Sequence, residues 1–268
     1  MEHSIGKEIG SGGTSTVYEW GDNEVIKVYK SHVTDGAIQN EMYIGQLLNQ
    51  FALEIPRYIG SIEVNGKKAL IYERINGRLL AEPLLKGSYE SELAYRFAQM
   101  HYKIHKKSID ELPSQYNFLR YRIGELSGLL GGKVPSLLKL LDSIPADHKL
   151  CHGDYQPLNI MEDTDKCVVI DWNGACSGNP VLDVAWSYMT LNSPGIKYVL
   201  GELSAAAFFH FARDYLTYYC KMAGIPEEQI QKCLPIVAAR RLYDNNLYEN
   251  DISRQEREWL FDLIRNVE

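Results

Sequence analysis

The sequence predicts an α+β protein in which a small, strand-rich N-terminal lobe with one helix precedes a larger, mainly helical C-terminal lobe. Three observations carry this. Over the first 75 residues, short apolar alternations are separated by turn signals and show no helical periodicity. Within that stretch Asn65-Gly66 stands between two apolar runs, and this dipeptide favours the positive backbone angles of a type I' hairpin turn. From Ser91 onward the apolar residues recur instead at helical spacing.

The elements follow in order. Gly21-Asp22-Asn23 turns the chain between strands at Thr16–Trp20 and Glu24–Tyr29. Ile38, Met42, Gly45 and Leu48 predict one helix within Asp35–Phe51, ended by the break at Pro56. The hairpin joins Tyr58–Val64 to Lys68–Ile75. In the second lobe, Leu93, Phe97, His101, Ile104 and His105 form one helical stripe, and Ser136–Ile144 and Leu203–Cys220 repeat the pattern. Between them Lys149–His152, Asn159–Met161 and Cys167–Asp171 read as short strands with loops at their ends. The composition shift near Ile75 to Gly77 divides the chain into lobes 1–75 and 76–268.

Composition excludes several classes. The 268 residues, 45% hydrophobic and 24% charged, suffice for two lobes. No apolar run approaches the roughly 18 residues of a membrane helix, and the first residues are polar, so a cytoplasmic protein without a membrane partner is expected. The net charge of -7 disfavours nucleic acid, whose binding rests on clustered Lys and Arg, and accommodates a cationic ligand more easily. Five cysteines without CxxC spacing point to reduced, mostly buried thiols and not to disulfides or zinc.

The chemistry is concentrated in four places. Ile9-Gly10-Ser11-Gly12-Gly13-Thr14-Ser15-Thr16-Val17-Tyr18 is a Gly-rich turn between strands, where bare backbone N–H groups can approach phosphate oxygens; alternatively it is simply a turn. Lys27 shares a strand face with Val25 and Tyr29, and Glu41, on the following helix, could hold its ammonium; the other reading is a solvated face with the lysine stem lying across it. The stretch Leu150-Cys151-His152-Gly153-Asp154-Tyr155-Gln156-Pro157-Leu158-Asn159, followed by Val168-Val169-Ile170-Asp171-Trp172, weighs most. Phosphoryl transfer needs a carboxylate to orient the attacking hydroxyl and take its proton, together with hard oxygen ligands for Mg²⁺. Asp154 suits the first task; Asn159, five positions on, and Asp171 suit the second.

Taken together, the Gly-rich turn, the Val-Ile-Lys strand, His-Gly-Asp-x-x-x-x-Asn and Ile-Asp-Trp resemble the aminoglycoside phosphotransferase and choline kinase family of the protein-kinase-like superfamily, from about Ile5 to about Tyr188. The resemblance implies the bilobal protein-kinase-like fold and a nucleotide-dependent small-molecule kinase. Gly10, Gly12 and Gly13 would cover the phosphates, and Lys27 would contact them while paired with Glu41. Asp154 would be the catalytic base, and Asn159 with Asp171 would hold Mg²⁺. Adenine would lie against Val17 and Val25, with hydrogen bonds to the connecting backbone at Tyr72, Glu73, Arg74 and Ile75; ATP and GTP stand equally as co-substrate. Asp183 would cap the catalytic loop from the start of a helix.

The chain departs from the wider kinase pattern in places. Ser15 replaces the third glycine of the usual loop, and Gly153 stands where protein kinases have Arg. Only twelve positions separate Asp171 from Asp183, too few for a long activation segment, so the expected partner is a small hydroxyl acceptor. Family analogy places acceptor specificity largely after Asn173. There Tyr243 to Asp251, with Asp244, Glu249 and Asp251, could hold an amine-bearing or polyhydroxylated ligand, or could be a solvated helix end. His101 and His105, four apart on a helix, lack the glutamate of zinc peptidases and read as packed, hydrogen-bonded side chains. The competing readings are a nucleotide-binding scaffold without transfer activity and an atypical protein kinase.

Overall fold

The computed structural model describes residues 5–163, 166–248 and 254–267. The chain divides into two units: residues 1–79 with 158–173, and residues 80–157 with 174–268.

In the first unit, strands β1 (Glu8–Ser11), β2 (Ser15–Trp20), β3 (Glu24–Tyr29), β4 (Tyr58–Val64) and β5 (Lys67–Glu73) form an antiparallel sheet in the order β1-β2-β3-β5-β4. The Asn65-Gly66 turn has φ of 52° and 77°, the two left-handed residues that a tight hairpin between strands of right-handed twist demands. Its strands meet at Val64 opposite Lys67. Period-two alternation sorts the side chains. Trp20, Ile26, Ala69 and Ile71 cluster apart from Tyr29, Tyr58 and Leu70, which Ile38 of the helix Asp35–Leu48 joins. Thr34 caps that helix, its hydroxyl accepting from the Ala37 N–H at 3.3 Å. The helix buries Ile38, Glu41, Ile44, Leu47 and Leu48, with the expected Met42 packed half-buried beside them. Gly45 sits closer to the strands than a larger residue could, since an added Cβ would lie 3.0 Å from Tyr58. A second, three-stranded sheet in this unit joins Arg78–Leu79, Ile160–Asp163 and Lys166–Val169.

The second unit is mainly helical. Its longer helices span Ser91–His105, Gln115–Glu125, Lys133–Asp142, Pro180–Leu191, Glu202–Ala223, Leu234–Tyr248 and Arg254–Arg265. Lys149–Cys151 pairs antiparallel with Cys176–Gly178. Ser114 and Asn179 cap the helices that follow them, and Pro180 occupies a first-turn position where its missing N–H costs nothing. Phe97 centres an aromatic core between Ser91–His105 and Glu202–Ala223, with ring centroids 5.0 Å from Phe211, 4.8 Å from Tyr215 and 4.4 Å from Tyr155.

The fold is that of the protein-kinase-like class: an N-terminal five-stranded antiparallel sheet followed by a mostly helical part. The cysteines are free thiols, with Cys151, Cys176, Cys220 and Cys233 buried and Cys167 half-buried. Among the described residues no helix is long and apolar enough to cross a membrane.

Candidate active site

Pairing of β3 with β2 and β5 sets Lys27 opposite Val17 and Leu70, and sets Val25 opposite Tyr72. Val17, Val25 and Lys27 therefore share one sheet face. The Lys27 ammonium donates to Glu41 Oε1 at 2.7 Å and to Asp171 Oδ1 at 2.9 Å. Its side chain is 12% exposed and that of Glu41 8%, so water screens the Lys27–Glu41 pair little. Burial works against the ammonium, but the carboxylates of Asp171 and Glu41 outweigh it and raise the Lys27 pKa above the ordinary lysine value. Tyr72 donates its hydroxyl to Glu41 Oε1 at 3.4 Å, a second hold on the same carboxylate.

The Gly-rich turn is closed by a Gly12 N–H to Ser15 carbonyl bond of 2.9 Å, and Lys30 donates to the Gly12 carbonyl at 2.5 Å. Gly10, Gly12 and Gly13 have no positive φ, and a Cβ on any of them would meet nothing within 4 Å. Nothing inside the fold demands glycine there; what these residues provide is bare, open backbone. Ser15 needs no left-handed freedom, because it is a buried residue of β2 paired with Tyr29. Where β5 ends, the Glu73 N–H bonds the Arg57 carbonyl at 2.9 Å and the Arg74 N–H bonds the Asn23 carbonyl at 2.9 Å. Those two donors are engaged within the protein, and no such bond holds the Ile75 N–H among the described residues.

Asn159 ends a short turn of 3-10 helix, and its carbonyl accepts from the Ile170 N–H at 2.9 Å, tying it to the residue before Asp171. Asp171 has φ of 62°; among the described non-glycine residues only Asn65 shares a positive value. A left-handed carboxylate outside a turn is costly, and such residues concentrate where a side chain must be aimed. Asp171 keeps 39% of its side chain exposed and offers two carboxylate oxygens, one already in contact with Lys27, and Asn159 carries an amide oxygen of the same hard type. The chemistry of these two residues fits Mg²⁺.

In the second unit, Lys149–Cys151 leads into His152, Gly153 and Asp154. Gly153 is required here: its φ is 80°, and a Cβ would stand 2.2 Å from the Gly174 carbonyl oxygen. An arginine at this position is excluded by that backbone contact. Asp183, on the helix Pro180–Leu191, fixes the loop by accepting from the His152 N–H at 2.8 Å on Oδ2 and from the Gly153 N–H at 2.9 Å on Oδ1. The same Oδ2 faces His101 Nε2 at 3.1 Å and His105 Nε2 at 3.2 Å. Burial favours a neutral Asp183, but hydrogen bonds from the two histidines outweigh it and hold this carboxyl well below the usual carboxylate range. His101 and His105 turn their Nδ1 atoms to the hydroxyls of Tyr215 and Tyr219, at 2.8 and 2.6 Å. The three ligand atoms lie close enough together to hold an ion. Each ring nitrogen already has a partner, however, and the group is fully connected as a hydrogen-bond network.

Asp154 is held through both oxygens: Trp186 Nε1 donates to Oδ1 at 3.0 Å and Gln156 Nε2 to Oδ2 at 2.9 Å. Over Trp186 lies the Arg240 guanidinium, 3.6 Å from the ring centroid, and Arg240 Nη2 donates to the Gly153 carbonyl at 2.7 Å. Asp244 pairs with Arg122 and, at 3.5 Å, with Arg240. Its charge is thus matched twice within the protein, which sets it apart from the open amine ligand the sequence suggested. Glu249 and Asp251 lie outside the described residues.

The sequence therefore anticipated Lys27, Glu41 and Asp171, which the structure brings together, and placed Asp154 on the loop that Asp183 holds. It missed Trp186, Arg240 and the tyrosine partners of the histidines. Trp186 left a faint signal, being three residues after Asp183 and so on the same helix face. Arg240 left none.

The model of a family described as the phosphotransferase enzyme family matches residues 5–219. Among solved structures, the chain is similar to APH(2")-IIa in its gentamicin complex, with 17% identity, a TM-score of 0.64, and 98% of this chain and 92% of that chain covered. It is similar to aminoglycoside 2'-phosphotransferase-IIIa in its GDP complex, with 14% identity, a TM-score of 0.61, and coverage of 98% and 92%. A choline/ethanolamine kinase family protein from Mesorhizobium loti gives 10% identity, a TM-score of 0.62, and coverage of 100% and 88%. Among curated proteins no match was found.

Proposed function

The chain belongs to the phosphotransferase enzyme family and is a small-molecule kinase, and from this premise we propose that it transfers the γ-phosphate of ATP or GTP to a hydroxyl of an aminoglycoside, an amino alcohol or a sugar. The observation that carries the reading is Lys27, whose ammonium is held at once by Glu41 and by Asp171. A lysine so fixed presents a point charge for phosphate oxygens, and the carboxylate that shares it is the one suited to a divalent cation.

Each residue then has a task. The open backbone of Gly10, Gly12 and Gly13 lets N–H groups approach phosphate oxygens without a side chain in the way. Val17 and Val25 offer an apolar face to the nucleotide base, and within the backbone from Tyr72 to Ile75 the Ile75 N–H is the donor offered to its edge. Asn159 and Asp171 hold Mg²⁺, which when bound neutralises charge on the phosphate oxygens. Asp154, with its side chain fixed by Trp186 and Gln156, orients the acceptor hydroxyl and takes its proton. The acceptor is uncommitted among the three classes; gentamicin bound to the structurally similar APH(2")-IIa and the choline/ethanolamine kinase relative support a hydroxyl-bearing amine among them.

The test is release of nucleoside diphosphate in the presence of Mg²⁺ and either ATP or GTP, across aminoglycosides, choline-like amino alcohols and sugars, with Asp154→Ala alongside. Acceptor-stimulated release that disappears in Asp154→Ala is the expected result. Stimulation that survives the substitution would remove Asp154 from the base role.

A further inference from the structure

The family's motifs end at the catalytic loop and the metal ligands, yet the side chains that touch Asp154 come partly from elsewhere. We propose that Trp186 and Arg240 act as a stacked pair that positions the base, which deepens the reading above and rests on it. Trp186 lies one helical turn after Asp183, is 4% exposed, and donates its indole N–H to Asp154 Oδ1 at 3.0 Å. An indole nitrogen only donates and does not ionise at ordinary pH. It therefore fixes the carboxylate without competing for the acceptor's proton.

Trp186 is itself held. The Arg240 guanidinium stacks 3.6 Å from its ring centroid, and the cation faces Phe118 as well, at 5.2 Å. With its side chain only 13% exposed, Arg240 is poorly screened by water, which strengthens the attraction of a cation for a ring face. The same arginine donates from Nη2 to the Gly153 carbonyl at 2.7 Å, so one planar group braces both the loop backbone and the ring that grips the loop's side chain. Asp244, one turn further along the helix, sits 3.5 Å from Arg240 Nε and keeps the guanidinium oriented. Asp183 thus fixes the front of the loop through two N–H groups, while Trp186 and Arg240 fix the carboxylate and the Gly153 carbonyl. A base held from both sides loses little orientational freedom when the acceptor binds, which is where a positioning residue acts on rate.

Two measurements on the intact protein decide it. In ¹H–¹⁵N spectra the Trp186 indole signal, assigned by its loss in Trp186→Phe, should move by several tenths of a ppm in Asp154→Ala and in Arg240→Lys. Unchanged position in both variants would overturn the pair. In the second, Mg²⁺–ATP and Mg²⁺–GTP hydrolysis with water as acceptor is followed in Trp186→Phe, which keeps an aromatic ring for stacking and deletes the donor together with the five-membered part of the indole. Turnover should fall about tenfold while the nucleotide KM stays within a factor of two. Equal turnover in Trp186→Phe and the parent protein would also overturn the proposal. Should Asp154→Ala keep its hydrolysis, the base assignment falls, and the indole signal still reports whether the contact exists.

Discussion

Lys27 and Asp171 stand 144 positions apart in the sequence and 2.9 Å apart in space. The contact joins a strand of the five-stranded sheet to the second residue after Lys166–Val169, and Glu41 completes it from the helix at 2.7 Å. Replacing Lys27 by Met keeps the stem and removes the charge, leaving two carboxylates facing each other without a cation. We expect kcat/KM for the nucleotide to fall by about 10²-fold, with Glu41→Gln falling less because the lysine remains. Steady-state kinetics with ATP and GTP measure both. The raised Lys27 pKa adds a sign: the ammonium stays charged through the ordinary lysine range, so no alkaline loss of activity below about pH 10 should trace to it.

Gly153 supplies a steric prediction. An alanine there would have to adopt φ near 80° with its Cβ 2.2 Å from the Gly174 oxygen, so the loop or the Trp172–Gly174 turn must shift. Gly153→Ala should lose about 2 kcal/mol or more of stability in urea unfolding and most of its turnover. Gly10→Ala is the contrast, since nothing lies within 4 Å of its added methyl. That variant should fold as stably as the parent and show its effect only on the nucleotide KM.

These positions also mark what the sequence could and could not tell. Local signals were readable: Asn65-Gly66 turned as its chemistry demands, and alternation along β3 put Lys27 on the face with Val25. Residue type and order, with the family resemblance, pointed Asp154, Asn159 and Asp171 to one chemistry. What stayed hidden was contact between distant segments whose side chains have an ordinary alternative. Asp244 looked like an open carboxylate because nothing local announces Arg122, which is 122 positions away. Arg240 carries no local signal of Trp186, whose ring it covers from another helix. The packed face of Asp35–Leu48 is wider than the spacing of Ile38, Met42, Gly45 and Leu48 shows, because Glu41 also faces inward to serve Lys27, placing a charge where periodicity seeks an apolar side chain.

The hairpin at Asn65-Gly66 gives a stability prediction far from the chemistry. Both residues are left-handed, which Asn and Gly tolerate and β-branched residues do not. Asn65→Val should cost about 1 kcal/mol or more in urea unfolding, with nucleotide kinetics unchanged. A change in KM without a change in stability would contradict this separation of turn from site.

His101 carries the last prediction, a dependence on pH. Burial, helped by the neighbouring His105, lowers its pKa to about 3, so the ring stays neutral in the folded protein. Since the ionised Asp183 only accepts, the proton of that neutral ring sits on Nε2, and Nδ1 accepts the Tyr215 hydroxyl. In the unfolded chain the same histidine titrates near its ordinary value of about 6.5. Between those two values the unfolded state binds a proton that the folded state does not, so stability falls as pH falls from about 6.5, with a slope approaching 1.4 kcal/mol per pH unit for one proton. Asp183, whose folded pKa is depressed, contributes stability that is present above about pH 4 and lost only at lower pH. Urea unfolding at pH 7.5, 6.5 and 5.5 separates the two. The parent protein should lose stability across this window, and His101→Asn, though less stable at pH 7.5 through its lost hydrogen bonds, should lose less on acidification. Equal slopes for the two proteins would mean that His101 takes up its proton in the folded state, and the network around Asp183 would then need a different set of protons.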